Sequence, residues 1–373
     1  MAIAERFPAL DVFRGMTICF MIIVNTPGNY ETTFSPLLHA RWHGFTPTDL
    51  VFPSFLFAVG NALSFVMPKW QHQSRSAVLI KILKRTILIF LLGFLMYWFP
   101  FVDHAPDGGF TFRPFSSTRI LGVLQRIALA YGIAALMLYF LKTRLTLWIT
   151  LGLLLLYWPV MYYFGDQPDP YLMAADAGTK LDLWLMGPAH MYHGEGIAFE
   201  PEGWLSTLPA VGNIVGGFLA GRFIQQKGKT YETLAQLMLA GALLLAIAYC
   251  WNLLFPINKK LWTSSFVVLT VGLDCMMLSG IIYIIDFLKK TGWTYFFVVF
   301  GRNPLFIYLL SEVIAILLGF FIMGDGTSYS WLYRTVYSHA GGYLGSLLFA
   351  LSIMFFCWLV GYWMDKRKIY VRV

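Results

Sequence analysis

Ten separate stretches of about twenty predominantly apolar residues punctuate this chain, at 10–26, 50–67, 77–99, 119–141, 145–164, 204–224, 232–254, 262–286, 295–322 and 341–364. A helix needs about twenty such residues to cross a hydrocarbon layer roughly 30 Å thick, whereas a barrel strand needs only about ten. Inside lipid every backbone N–H and C=O must be satisfied within the protein, which leaves helices or a closed barrel. Runs of this length and uniformity select helices. Composition agrees, because a chain of 373 residues that is 58% hydrophobic and only 12% charged cannot hide its apolar surface in a water-soluble core. The expected fold is therefore all-α: a polytopic membrane protein of about ten helices forming one integral-membrane domain over residues 1–373.

The formal net charge of +8 first suggests a nucleic-acid partner, but no basic domain exists and the cations sit in short clusters between apolar runs. Nucleic acid is not an expected partner. With both termini in the cytoplasm, 18 of the 27 Lys and Arg fall on that side, among them Arg6, Arg14, Lys84, Arg85, Lys366 and Arg372. Seven fall on the other side, including Arg41, Arg119 and Lys260, while Arg126 and Arg302 lie within or beside the membrane. That asymmetry is the positive-inside pattern. The non-cytoplasmic loops become 27–49, 100–118, 165–203, 255–261 and 323–340. Within 165–203, seven acids stand against the single Lys180, a composition suited to a cationic or polyhydroxylated ligand or to a merely solvated loop.

The four cysteines, Cys19, Cys250, Cys275 and Cys357, lie in apolar runs without metal-ligand or disulfide spacing. Arg14 interrupts the start of the first run and no small-residue cleavage site follows it, so that run reads as an uncleaved helix. No internal repeat is visible.

Charged and amide groups inside spans cost free energy and need partners, water or a functional reason. Arg14 follows Asp11 by three residues and pairs with it in the bland reading. Asn25 lies eleven residues, about three turns, beyond Arg14, which puts the two on one face roughly 16 Å apart. Gln125 and Arg126 in the fourth span, Asp274 in the eighth and Glu312 in the ninth also require polar company. Just before the second span, the segment from Leu38 to Asp49 gathers His39, Trp42, His43, Thr46 and Asp49. Imidazole is the side chain best suited to move protons near neutral pH, and a carboxylate beside it fixes its tautomer. An aromatic belt at the interface is the plainer alternative. His39 and His43 lack a third ligand at a diagnostic spacing, so no metal is expected. On these residues alone, an enzyme and a proton-coupled transporter of a sugar or small solute are both open.

The strings Ala9-Leu10-Asp11-Val12-Phe13-Arg14-Gly15, Val24-Asn25 and His39-Ala40-Arg41-Trp42-His43-Gly44-Phe45-Thr46-Pro47-Thr48-Asp49 open a longer series. Gly122-Val123-Leu124-Gln125-Arg126, Glu200-Pro201-Glu202-Gly203, the stretch Pro256 to Ser265 and Gly301-Arg302-Asn303-Pro304-Leu305 continue it. In this order and spacing, over nearly the whole chain, they resemble the transmembrane acyltransferases of the heparan-α-glucosaminide N-acetyltransferase family. The resemblance is to a compact bacterial form, without the long luminal N-terminal domain and additional helix of the lysosomal enzyme. It implies a bacterial inner-membrane acetyltransferase that moves an acetyl group from cytoplasmic acetyl-CoA to the amino group of glucosamine or a related amino sugar on the periplasmic side. His39 matches the family's proposed catalytic histidine and Asn25 an asparagine beside the reacting groups, and Asp49 is expected in the catalytic site, drawing the sugar's ammonium together with Glu200 and Glu202. Arg14, Lys84, Arg85, Gln125 and Arg126 are expected to hold acetyl-CoA. Trp42, Glu200, Glu202, Asn258, Trp262 and Glu312 are expected to serve the acceptor. Acetyl-CoA, the amino sugar and the bilayer are the implied partners, and a homo-oligomer is compatible with the reading.

Overall fold

A computed structural model describes residues 7–371. Arg6 and Arg372, counted above on the cytoplasmic side, lie outside the described residues. The chain is almost entirely helical: α1 (Pro8–Asn25), α2 (Pro47–Trp70), α3 (Arg75–Trp98), α4 (Val123–Phe140), α5 (Thr143–Phe164), α6 (Ala177–Met186), α7 (Trp204–Lys227), α8 (Tyr231–Asn252), α9 (Ser264–Ile282), α10 (Thr294–Arg302), α11 (Pro304–Phe320), α12 (Ser328–Leu332) and α13 (Gly342–Lys366). Two small antiparallel hairpins interrupt it. β1 (Val102–His104) pairs with β2 (Phe110–Phe112), and β3 (Ile322–Met323) with β4 (Gly326–Thr327).

Helix starts follow local chemistry. Pro8 opens α1, where its missing N–H costs nothing, and Asp11 in the first turn favours the positive end of the helix. Ser74 accepts from the Ala77 N–H at the head of α3, and Thr230 from the Thr233 N–H at the head of α8. Asp176 caps α6, accepting from the Thr179 N–H at 2.9 Å and its hydroxyl at 2.6 Å.

Among the described residues, eight helices are long and apolar enough to cross a membrane, and a ninth span results if the bent pair α10–α11 is counted as one. The protein is thus a polytopic membrane protein of the expected all-α class. The expected tenth span is α3, 24 residues long but carrying Lys81, Lys84 and Arg85 in its first half. The expected continuous span 295–322 is broken instead. It bends by 85° between Arg302 and Pro304, because a residue preceding proline is pushed out of the helical region and Asn303 adopts φ −129°, ψ 51°.

The described residues form two compact units. One comprises 7–40, 45–55 and 277–371, and the other 41–44 and 56–276. In the first, α1 and α10 cross where neither can carry a side chain. A Cβ on Gly15 would strike the Phe297 carbonyl, and one on Gly301 the Asp11 carbonyl. In the second, α2 and α7 meet the same way through Gly60 against Ile214 and Gly217 against Phe57. Small residues at such crossings let backbones approach, which is how helices gain packing energy where no hydrophobic drive separates protein from lipid.

Candidate active site

In the first unit, the connection from α1 to α2 folds back on the first turn of α2. Asp49, 1% exposed, organises it. Its Oδ2 accepts from the Ala40 N–H at 3.2 Å and the Thr46 N–H at 2.9 Å. The Thr46 hydroxyl lies 3.1 Å from the same oxygen and 2.7 Å from the Leu38 carbonyl. Oδ1 lies 2.7 Å from His39 Nδ1. An ionised carboxylate only accepts, so Nδ1 carries the proton and Nε2 is the ring nitrogen that can take one. The ring is 41% exposed. A buried, fully bonded carboxylate behind a reachable imidazole is the arrangement of a general base with its orienting acid.

Asn25 closes α1, and its Nδ2 donates to Glu312 Oε1 on α11 at 3.3 Å. That bond commits the amide NH₂ to the carboxylate and leaves its second N–H for another acceptor. In the first half of α1, Arg14 donates from Nη2 to Asp11 at 2.7 Å and from Nε to the Gly301 carbonyl at 2.9 Å. The local ion pair expected from spacing is therefore present, with an additional tie to α10. Asp365 escaped the sequence reading. It binds Arg302 and accepts from the hydroxyls of Tyr295 at 2.9 Å and Tyr370 at 3.1 Å, and its only signal was a lone acid at the basic end of a span.

The second unit holds the remaining candidates. Arg126 is fully buried. It donates from Nη2 to the Ser206 hydroxyl and lies over the Trp262 ring at 4.6 Å, while Nε and Nη1 have no hydrogen-bond partner among the described residues. Gln125 donates to the Ile120 carbonyl at 2.9 Å, and its own carbonyl oxygen is buried without one. Trp262 is enclosed, its indole N–H on Asn213 at 3.1 Å. With Arg126 against its ring, it is part of the core and not an open platform. Trp42 donates to the Tyr171 carbonyl at 3.0 Å and packs edge-on against Phe199. Asn258 accepts from the Leu261 N–H and lies 3.3 Å from His43 Nδ1. Burial lowers the His43 imidazole, with Asp169 opposing. On α3, Lys84 is exposed and Arg85 lies over the Tyr131 ring at 4.7 Å.

Most acids of the 165–203 loop already have partners within this unit. Glu200 and Glu202 both bind Arg119, which is stacked over the rings of Tyr97 and Tyr192. Burial still raises the Glu200 carboxyl, against the pull of Arg119. Glu195 pairs with Lys260 at 2.8 Å and Asp166 with Lys180. Asp182 accepts from the Trp204 N–H at the head of α7 at 3.0 Å. Of the two roles open for this loop, internal structure thus accounts for most of its charge. Arg119, which the sequence reading had placed only in the charge count, is the residue that organises it.

The model of the heparan-alpha-glucosaminide N-acetyltransferase catalytic family matches residues 6–248, a stretch that includes the His39–Asp49 pair. The chain belongs to this family. It is 25% identical to the mouse heparan-alpha-glucosaminide N-acetyltransferase over 370 residues, covering 83% of this chain and 54% of the mouse protein. The human counterpart is 26% identical over 372 residues, covering 84% and 53%. The chain thus spans about half the length of the curated relatives it matches. Asn25, His39, Asp49, Gln125, Arg126, Glu200 and Glu202 fall inside the stretch matched by the heparan-alpha-glucosaminide N-acetyltransferase model, whereas Asn258, Trp262 and Glu312 lie beyond it.

Proposed function

We propose that this chain is a membrane-embedded N-acetyltransferase that uses acetyl-CoA to acetylate the amino group of glucosamine or a related amino sugar. Family membership supports the reaction class, and the His39–Asp49 pair is the single observation that carries the mechanism. The neutral amine attacks the thioester carbonyl carbon. His39 Nε2 takes the amine proton as the C–N bond forms, and the C–S bond then breaks with the proton passing to the CoA sulfur. Asp49 keeps the second ring nitrogen protonated and steadies the imidazolium that appears in between. The free N–H of Asn25 is suited to the oxygen that gains charge as the amine adds.

For the donor, Lys84 and Arg85 are the cations we assign to the nucleotide phosphates, since Arg14 is already engaged by Asp11 and Gly301. The unpaired N–H groups of Arg126 suit an amide carbonyl such as those of pantetheine. The alternative covalent route, in which His39 itself takes the acetyl group, differs from direct transfer in one observable: labelled acetyl on His39 after incubation with acetyl-CoA alone.

The test is release of free CoA by the purified full chain given acetyl-CoA and a panel of amino sugars. Acetyl-CoA-dependent release with glucosamine is expected, falling by roughly 10²-fold or more in His39→Ala. A His39→Ala protein that folds, binds acetyl-CoA and turns over near normally overturns the assignment. Solute flux without acetyl-CoA dependence would instead favour a transporter.

A further inference from the structure

The first unit contains a cavity of about 240 Å³ that the reaction above does not use. One wall is the α1 face of Met16, Phe20 and Val24, and the others include Leu37, Thr48 and Val51. Two of the three hydroxyl side chains in the lining, Thr17 and Thr48, commit their protons to backbone carbonyls. Thr17 donates to the Arg14 carbonyl at 2.6 Å and Thr48 to the Pro36 carbonyl at 2.9 Å. What faces the space is hydrocarbon, so neither a sugar nor a phosphate would gain by entering it. At roughly 30 Å³ for a water-sized group, the volume fits one alkyl chain of several methylenes. It falls short of the roughly 300 Å³ at which drug-sized pockets begin.

Its position selects among alkyl chains. Three lining residues immediately precede, or stand two before, the three residues of the reacting site: Val24 before Asn25, Thr48 before Asp49, and Leu37 two before His39. From that end the cavity follows α1 from Val24 back to Met16, about 12 Å at 1.5 Å per residue. Phe20, 43% exposed, lies along this wall, so the cavity borders the surface of a helix long and apolar enough to lie in lipid. A molecule with its polar head beside His39 and one tail in the bilayer would lay that tail here.

We propose that the cavity is the tail site of a lipid-borne acceptor: an amino sugar carrying an alkyl chain, with its amine at His39 and its chain along α1. This rests on the acetyltransferase reading, in which the donor's acyl group is only two carbons long and its pantetheine arm carries amides that an apolar lining would leave unpaired. The acceptor's chain then supplies binding energy that a free sugar lacks, up to about fourfold in affinity per methylene fully buried.

The experiment uses the full chain in nanodiscs, with methyl, butyl and octyl glucosaminides bearing a free amine, and measures equilibrium binding and CoA release separately. Affinity is expected to rise at least tenfold from methyl to octyl. Val51→Trp, which fills the cavity, should erase that gain and leave methyl glucosaminide binding unchanged. Met16→Trp fills it from the α1 wall and stands in if Val51→Trp does not fold. A flat series overturns the proposal, as does a gain that survives both substitutions, which would mean mere partition into lipid. A cavity-dependent gain for octanoyl-CoA over acetyl-CoA would give the space to the donor and overturn it too. The acetyltransferase reading fails separately: chain-dependent binding with no CoA released from any acceptor leaves the tail site standing, while CoA release from free glucosamine with a flat series leaves only the reaction.

Discussion

Asp182 shows how a single buried carboxyl couples this protein to pH. It is 1% exposed, held on the Trp204 N–H, and tolerated there because Gly203 has no side chain to strike it. Burial, with the neighbouring charges of Glu200 and Asp176, pushes it from 3.8 up to about 7, against the Trp204 bond and Arg126. Between those two values the folded chain holds a proton that the unfolded chain has lost. Stability from this group is therefore fully present below about pH 4, declines as pH rises toward 7, and is flat above. Asp182→Asn keeps the cap and removes the proton, so thermal unfolding of the variant followed by tryptophan fluorescence should show a shallower pH slope between 4 and 7. An unchanged slope would remove Asp182 from the account. The same scale shows what a sequence can reveal. His39 and Asp49 were legible as a pair because their residue types define a chemistry and stand ten apart in one short loop. Arg119 with Glu200 and Glu202 was not, because the partners lie about eighty residues apart and only folding brings them together.

At the level of elements, Arg119 is the fastener of the second unit's loops. It draws on Tyr97 near the end of α3, Tyr192 in the long loop, and both carboxylates just before α7. Removing one side of a buried ion cluster leaves the other uncompensated, which costs about 3–5 kcal/mol. Arg119→Met should therefore lower the unfolding temperature markedly, and Glu200→Gln combined with Glu202→Gln should restore part of the loss by removing the stranded charge. A loss that the double replacement deepens would show that Arg119 acts by packing alone. Helix existence was legible because runs of about twenty apolar residues permit little else, and most ends fall within a few residues of the apolar limits. The α10–α11 break was missed because apolar content alone bridges it. Its signal was Asn303-Pro304, with Asn303 then held by the chain end through Ile369 and Val371. The hairpins and α6 lie in polar connections that hydropathy does not resolve.

For the whole molecule, the path of the chain across the membrane depends on one helix. Counting α3 and the bent pair as crossings gives ten, which returns the C-terminus to the side of the N-terminus and gathers 18 of the 27 Lys and Arg there. If α3 did not cross, every later loop would change sides, and Lys142, Arg144, Arg222, Lys227 and Lys229 would be opposite Lys69 and Arg75. Lys81, Lys84 and Arg85 keep α3 from being apolar throughout, yet they cluster in its first three turns, where long cationic side chains reach the interface and leave the remaining turns to span. We therefore expect α3 to cross with His72 in the cytoplasm and the hairpin tip at Asp107 on the far side. With the exposed Cys250 replaced by alanine, His72→Cys and Asp107→Cys test this directly using a membrane-impermeant maleimide. Asp107→Cys should label in intact cells, and His72→Cys only after permeabilisation. Labelling of both from one face would make α3 a surface helix and break the charge asymmetry that orients the chain.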